Sequence, residues 1–246
     1  GGAISDPQAA AGNRGSTVEV RNLFFNTPAR RKFIKGSATE FGYISEMMLR
    51  LALPYSQIHF SLAHNGRVSQ DWPATDEISR WLTAWPKEFQ PERLAIDVAD
   101  AEVKLRGIIG LPDLARPTQK YQFFYLNGRF IRDRNVIHAL REAYRGLTEP
   151  GRHPAAVLML DLPPQDVDVN VHPTKIEVRF RDSGRIHSLV MSAVREKLLA
   201  SDLAPPAIPL TSNSPEAPRT ELREQLAAFF KQALPALEET FRTAKD

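Results

Sequence analysis

A chain of 246 residues, 42% hydrophobic and 25% charged, has ordinary globular composition, enough for one large domain or two modest ones. The absence of Cys excludes disulfides and thiolate metal sites, no apolar run approaches the roughly 20 residues of a membrane helix, and the His residues include no His-x-x-x-His pair, so no metal site is expected. The small excess of 32 Lys and Arg over 29 Asp and Glu says little about partners, which moves attention to local clusters such as Arg30, Arg31, Lys32 and Lys35, for which a solvated surface is the plainer explanation.

The chain opens at Gly1 with neither an initiator Met nor a basic stretch ahead of an apolar one, so it is not read as a signal peptide and looks cut from something longer. Residues 1–15 predict a loop, and the alternation in Thr17-Val18-Glu19-Val20-Arg21 predicts a strand. Thr27 before Pro28 predicts a helix start, since Pro at the first helical position has no N–H to lose. Ser37-Ala38-Thr39-Glu40 reads as a capping box, followed by Phe41, Ile44, Met48 and Leu51 on one helical face until Pro54. Segments 58–62 and 67–72 predict a hairpin around Asn65-Gly66, because that pair supplies the positive φ angles of a tight turn.

A short helix is expected near 76–85, with a domain boundary just before it. Strands are then expected over 94–111 and 120–126, the second ending at Asn127-Gly128, from which Phe130 and Ile131 lead into a helix over 133–146. A strand over 154–162, paired strands 166–172 and 176–181, and a helix over 184–201 follow, the last with Ile186, Leu189, Val190, Val194 and Leu198 on one side. Together these predict an α+β sandwich with helices on one face. Prolines from Pro205 to Pro218 mark a linker, and Leu222, Leu226, Phe229 and Phe230 a final helix over about 220–243. The expected division is 1–74, 75–203 and 204–246.

Within 167–180 the apolar parity slips: Val167, Val169 and Val171 share one face, whereas Ile176, Val178 and Phe180 fall on the other. A loop containing Pro173 must interrupt the strand, which puts Lys175 at or beside its tip. From the residues alone a solvated Lys on a hairpin is the favoured reading. Arg129, Arg132 and Arg134, joined by Arg141 and Arg145 on the following helix, form a cationic group at a helix start, where the helix dipole prefers acids. That misfit favours a role in binding duplex DNA through its phosphates, weakly, without sequence preference and with strong salt dependence.

Three motifs carry a family resemblance. Gly15-Ser16-Thr17-Val18-Glu19-Val20-Arg21-Asn22-Leu23-Phe24-Phe25-Asn26-Thr27-Pro28-Ala29-Arg30-Arg31-Lys32-Phe33 resembles the last ATP-binding motif of the MutL-type DNA mismatch-repair family. Tyr125-Leu126-Asn127-Gly128-Arg129-Phe130-Ile131-Arg132-Asp133-Arg134 is similar to that family's Asn-Gly-Arg turn, and Val167 to Phe180 to its phosphate-sensing loop. The resemblance covers roughly residues 1–203 and implies an α+β fold: the end of a Bergerat-type ATPase sandwich followed by a transducer domain like the second domain of ribosomal protein S5.

The resemblance further implies that Lys175 contacts the γ-phosphate, and that Ser16, with Thr17 as fallback, joins the adenine network. It implies ATP and Mg²⁺ as cofactors of the complete protein, ATP-driven homodimerisation around DNA, a mismatch-recognition partner of the MutS type, a downstream nuclease or helicase, and a cytoplasmic, nucleoid-associated location. The family's catalytic Glu, Mg²⁺-binding Asn and glycine-rich phosphate lid have no counterpart in this sequence, so the chain alone is expected neither to hydrolyse ATP nor to bind it tightly. Two other readings remain: a type II topoisomerase transducer, against which the Asn-Gly-Arg turn and the Pro-Ala-Arg-Arg-Lys run argue, and a nucleic-acid-binding module without nucleotide chemistry.

Overall fold

The structure, a computed structural model, describes Asp6, Gly12 and residues 14–169 and 176–201. Lys175, most of the opening loop, the proline-rich stretch and the expected helix over 220–243 lie outside the described residues. The described elements in chain order begin with α1 (Pro28–Arg31), α2 (Ser37–Ala52), β1 (Phe60–His64), β2 (Arg67–Trp72) and α3 (Glu77–Leu82). They continue with β3 (Arg93–Asp100), β4 (Val103–Gly110), β5 (Gln122–Leu126), β6 (Arg129–Ile131), α4 (Arg134–Ala143), β7 (Ala156–Asp161), β8 (Val167–Asp168), β9 (Arg179–Phe180) and α5 (Ser183–Ala200).

A mixed sheet with strand order β3-β4-β7-β5-β6 forms the centre. β7 runs antiparallel to β4 and parallel to β5, and the connection between the parallel pair carries α4. Alternate side chains of these strands enter two separate cores, as the twofold repeat of a strand requires. Phe124, Leu126, Leu158 and Leu160 pack against Leu140, Val190 and Val194 of α4 and α5. Phe123, Tyr125, Val157 and Met159 point the other way, into a cluster with Leu53, Trp81, Trp85 and Phe89. Helices therefore cover both faces of the sheet, correcting the expectation of one. The sequence reflects this: Phe123-Phe124-Tyr125-Leu126 and Val157-Leu158-Met159-Leu160 are unbroken apolar runs, the pattern of strands buried on two sides.

Two strand expectations are revised. The segment 94–111 is a hairpin, because Ala101 takes a positive φ of 51° and turns the chain so that Asp100 pairs with Val103. Phe130 and Ile131 belong to β6, paired with β5 through Tyr125–Phe130 and Phe124–Ile131, and the chain passes from them into α4 at Arg134, as expected. The expected strand over Thr17–Arg21 pairs with no strand among the described residues, and Val18 and Val20 are 86% and 71% exposed. Alternation marks a strand only where a partner edge is present to satisfy its backbone.

The capping box is also displaced. Gly36 occupies the N-cap of α2, and the Glu40 carboxylate reaches back to the Lys35 N–H, 2.7 Å away. Ile44 and Leu51 are exposed, so the buried face of α2 is rotated towards Leu49, Ala52 and Leu53. The hairpin at Asn65-Gly66 and the buried stripe Ile186, Leu189, Val190, Val194 and Leu198 of α5 match the sequence reading.

Arg80, fully buried on α3, ties these parts together. Its Nη2 donates to the carbonyls of Ile58 and Pro73, each at 2.8 Å, and of Ser56 and Trp72, each at 3.2 Å. Its Nη1 donates to the Ala52 carbonyl at 3.4 Å, at the end of α2. Burial lowers the guanidinium pKa from its ordinary value.

Candidate functional site

The Asn127-Gly128 turn is fixed by its own side chain. Both residues have positive φ, 47° and 76°, which Asn and Gly adopt more readily than other residues. Asn127 Nδ2 donates to the Leu162 carbonyl at 2.9 Å, and Asn127 Oδ1 accepts from the Leu162 N–H at 3.0 Å. The Asn127 N–H also donates to the Leu160 carbonyl at 2.9 Å, so the turn is pinned to the end of β7. A Cβ at position 128 would lie 3.3 Å from the Tyr55 hydroxyl, a tight contact that adds to the preference for Gly set by its positive φ.

Beyond β6, the Arg132 N–H donates to the carbonyl of Ile176 at 2.9 Å. Ile176 directly follows Lys175 in sequence, and β8 and β9 pair through Val167–Phe180 and Asp168–Arg179 at the base of the same loop. The stem of the lysine loop therefore sits against the strand that leaves the Asn-Gly-Arg turn. Next to Arg132, Asp133 caps α4 by accepting from the N–H groups of Asn135 and Val136, each at 3.0 Å. Burial raises the Asp133 pKa, against the lowering effect of those bonds, and Glu177 adds like-charge repulsion.

Arg132 borders a cleft of about 290 Å³ shared with Glu46, Arg50, Lys120 and Phe130. The Arg50 guanidinium lies 4.5 Å above the Phe130 ring centroid and is bonded to Glu46 one helical turn away. Burial lowers the Arg50 pKa, partly offset by Glu46, and the neighbouring Arg132 lowers it further. The Tyr125 hydroxyl donates to the Arg50 backbone carbonyl at 2.8 Å, which ties α2 to β5 beside the cleft. Arg50 and Lys120 escaped the sequence reading because one sits on an amphipathic helix and the other in a 3-10 turn, neither near a motif.

The predicted arginines do not form one cluster. Arg132 faces the cleft with Arg50 and Lys120, whereas Arg141 and Arg145 border a separate hollow of about 290 Å³ with Glu149 and Arg152. Arg145 is paired with Glu142 at 3.2 Å. None of the ion pairs among the described residues uses Arg129, Arg132, Arg134 or Arg141, and all four are exposed. Ser16 and Thr17 are exposed, lie outside the described helices and strands, and line neither of the clefts bordered by the predicted arginines. One grouping that spacing along the chain could not reveal is His138, Glu142 and His187, brought together from α4 and α5.

The family model described as DNA mismatch repair protein, C-terminal domain, matches residues 82–199. The chain is 43% identical over 222 residues to the DNA mismatch repair protein MutL of Janthinobacterium sp. (strain Marseille), covering 90% of this chain and 36% of that protein. It is 47% identical over 191 residues to the protein of the same name from Ralstonia nicotianae, covering 78% of this chain and 30% of the relative. The chain thus spans about a third of the length of the curated relatives it matches. Among solved structures, the N-terminal domain of a DNA repair protein aligns with a TM-score of 0.61 at 20% identity, covering 75% of this chain and 61% of that one, a likeness of fold.

Proposed function

This chain belongs to the MutL family of DNA mismatch-repair proteins, and from that membership we propose that its central sheet and the helices packed on it form a transducer that couples nucleotide state to closure on DNA. The division of labour is 1–74 as the last part of an ATP-binding domain, 75–203 as the transducer and 204–246 as a linker. In the complete protein ATP is the nucleotide and Mg²⁺ its counter-ion. Ser16, with Thr17 beside it, offers a hydroxyl to the adenine network, and exposed side chains on unpaired backbone fit that role. Lys175 supplies a cation to the γ-phosphate, stabilising charge on the transferred phosphoryl group.

The observation that carries this reading is the hydrogen bond from the Arg132 N–H to the Ile176 carbonyl. It joins the residue after Lys175 to the residue after β6, and so supports a path from the lysine loop to the start of α4, where the exposed arginines lie. Arg129, Arg132, Arg134, Arg141 and Arg145 neutralise duplex phosphates in this account, with Arg145 contributing least because Glu142 already pairs with it. Such contacts are weak, independent of sequence and salt-sensitive, which suits a clamp that closes around DNA when the complete protein forms an ATP-bound homodimer. A mismatch-recognition protein of the MutS type upstream, a nuclease or helicase downstream and a cytoplasmic location complete the proposal. Among the described residues no helix is long and apolar enough to cross a membrane.

The test is Lys175→Ala in the complete protein. Turnover should fall by about 10²-fold, in the range for loss of one preorganised charge-stabilising donor, while the thermal unfolding midpoint stays put. An unchanged turnover number removes the assigned role of Lys175.

A further inference from the structure

Beside the hollow that Arg141 and Arg145 border, α4 and α5 face one another across a buried seam and set three ligand-type side chains at its solvent edge. His138 and Glu142 stand one turn apart on α4, so both project from the same side of the helix. His187 meets them from the first turns of α5. His138 Nδ1 lies 3.0 Å from His187 Nε2, His187 Nε2 lies 3.2 Å from Glu142 Oε2, and Glu142 Oε2 lies 3.7 Å from His138 Nδ1. The same three atoms define all three separations, so they form a closed triangle. Metal–ligand bonds of about 2.0–2.2 Å at tetrahedral angles place neighbouring ligand atoms about 3.3–3.5 Å apart. The observed edges straddle that value.

We propose that His138, Glu142 and His187 bind a divalent transition-metal ion of the Zn²⁺ class, with three protein ligands and a remaining position open to water. The donor set selects the ion: two imidazoles suit Zn²⁺ and its neighbours, whereas Mg²⁺ and Ca²⁺ require oxygen ligands. This site is therefore distinct in chemistry from the Mg²⁺ that would accompany a nucleotide. Its side chains range from half-buried to exposed, His138 at 61% and His187 at 21%, which leaves an entry path on the His138 side.

The surrounding structure holds the ligands in place before any ion arrives. Asn135 Nδ2 donates to the Ser183 carbonyl at 2.6 Å on one side of the cluster. Arg195 Nη1 donates to the carbonyls of Ala143 and Arg145, each at 3.1 Å, on the other. Between these latches Val136, Ala139 and Leu140 pack against Ile186, Val190 and Val194, so the helices cannot slide apart. Arg145 Nη2 holds Glu142 Oε1 at 3.2 Å, which turns Oε2 towards the two rings. Outer contacts of this kind orient ligating carboxylates, although the positive charge of Arg145 weakens the attraction for a cation. A bound ion would cross-link α4, which carries Arg134 and Arg141, to α5.

The experiment is calorimetric titration of the chelator-treated full chain with ZnCl₂ and, separately, with MgCl₂, alongside thermal unfolding in each. The expected results are one Zn²⁺ per chain, no Mg²⁺ uptake at the same concentrations, and a rise in Tm with Zn²⁺ only. His138→Ala, at an exposed position, and Glu142→Gln, close in shape to the native residue, should each weaken Zn²⁺ binding by at least about tenfold and abolish the Tm rise, with the metal-free Tm nearly unchanged. The proposal is overturned if Zn²⁺ does not bind, if both variants keep the wild-type affinity, or if Mg²⁺ binds equally well.

Discussion

Replacing Arg80 by Met tests how the hairpin and α2 are held to the rest of the fold. The guanidinium is fully buried and its hydrogen bonds go only to backbone carbonyls, those of Ala52, Ser56, Ile58, Trp72 and Pro73. Nη2 has two hydrogens for four of these acceptors, so the 2.8 Å bonds to Ile58 and Pro73 carry most of the interaction. Two hydrogen bonds from a charged donor, at about 1.5–3 kcal/mol each, amount to about 3–6 kcal/mol. Relief of the burial penalty, visible in the lowered pKa, returns part of that, leaving an expected loss of about 3 kcal/mol. Urea unfolding should show a lower midpoint at unchanged slope. Arg80→Lys should recover less than half, because one ammonium cannot reach both the end of α2 and the hairpin. A loss below about 1 kcal/mol for Arg80→Met, the range of an exposed ion pair, refutes the assignment of Arg80 as the tie.

Gly107 on β4 lies so close to β7 that an added Cβ would sit 2.0 Å from the Val157 carbonyl oxygen. Gly107→Ala should therefore destabilise by about 3 kcal/mol or more, since two backbones must separate, and a stable, soluble variant with wild-type Tm would contradict the register described here. His153 has its pKa lowered, by burial first and then by the nearby charge of Arg141. A depressed folded-state pKa means stability is fully present above the unfolded value of 6.5 and is lost as pH falls below it towards the folded value. The difference in Tm between pH 7.5 and 5.5, about a unit either side of an ordinary His pKa, should shrink in His153→Gln; an unchanged difference excludes His153 as a source.

What could be read from the sequence was whatever local pattern sufficed to specify. The stripe from Ile186 to Leu198 has the helical period because α5 buries one side only, and Asn65-Gly66 turns the chain without help from elsewhere. The Asn127-Gly128 turn was visible for the same reason. Its attachment to Leu162 was not, because the partner lies 35 residues away. Ala101 turns a hairpin at Asp100-Ala101-Glu102, a turn without Asn or Gly, so 94–111 read as one strand. Arg80 looked like any polar helix residue, since only the assembled fold reveals five carbonyls converging on it. Of the candidate site, the motif residues were legible individually. The separation of Arg132 from Arg141 and Arg145, and the recruitment of Arg50 and Lys120 to the cleft, depend on how α2 packs across the sheet.

Coupling between nucleotide and DNA is best measured in the complete protein as duplex DNA affinity with and without a non-hydrolysable ATP analogue. The transducer account predicts that the analogue tightens DNA binding in the wild type by about 5–150-fold, the usual span of a coupling between sites. It also predicts that Lys175→Ala removes this increment while leaving nucleotide-free affinity and its salt dependence intact. If Lys175→Ala retains the full increment, nucleotide state reaches DNA by some other route and the role given to the lysine loop is wrong.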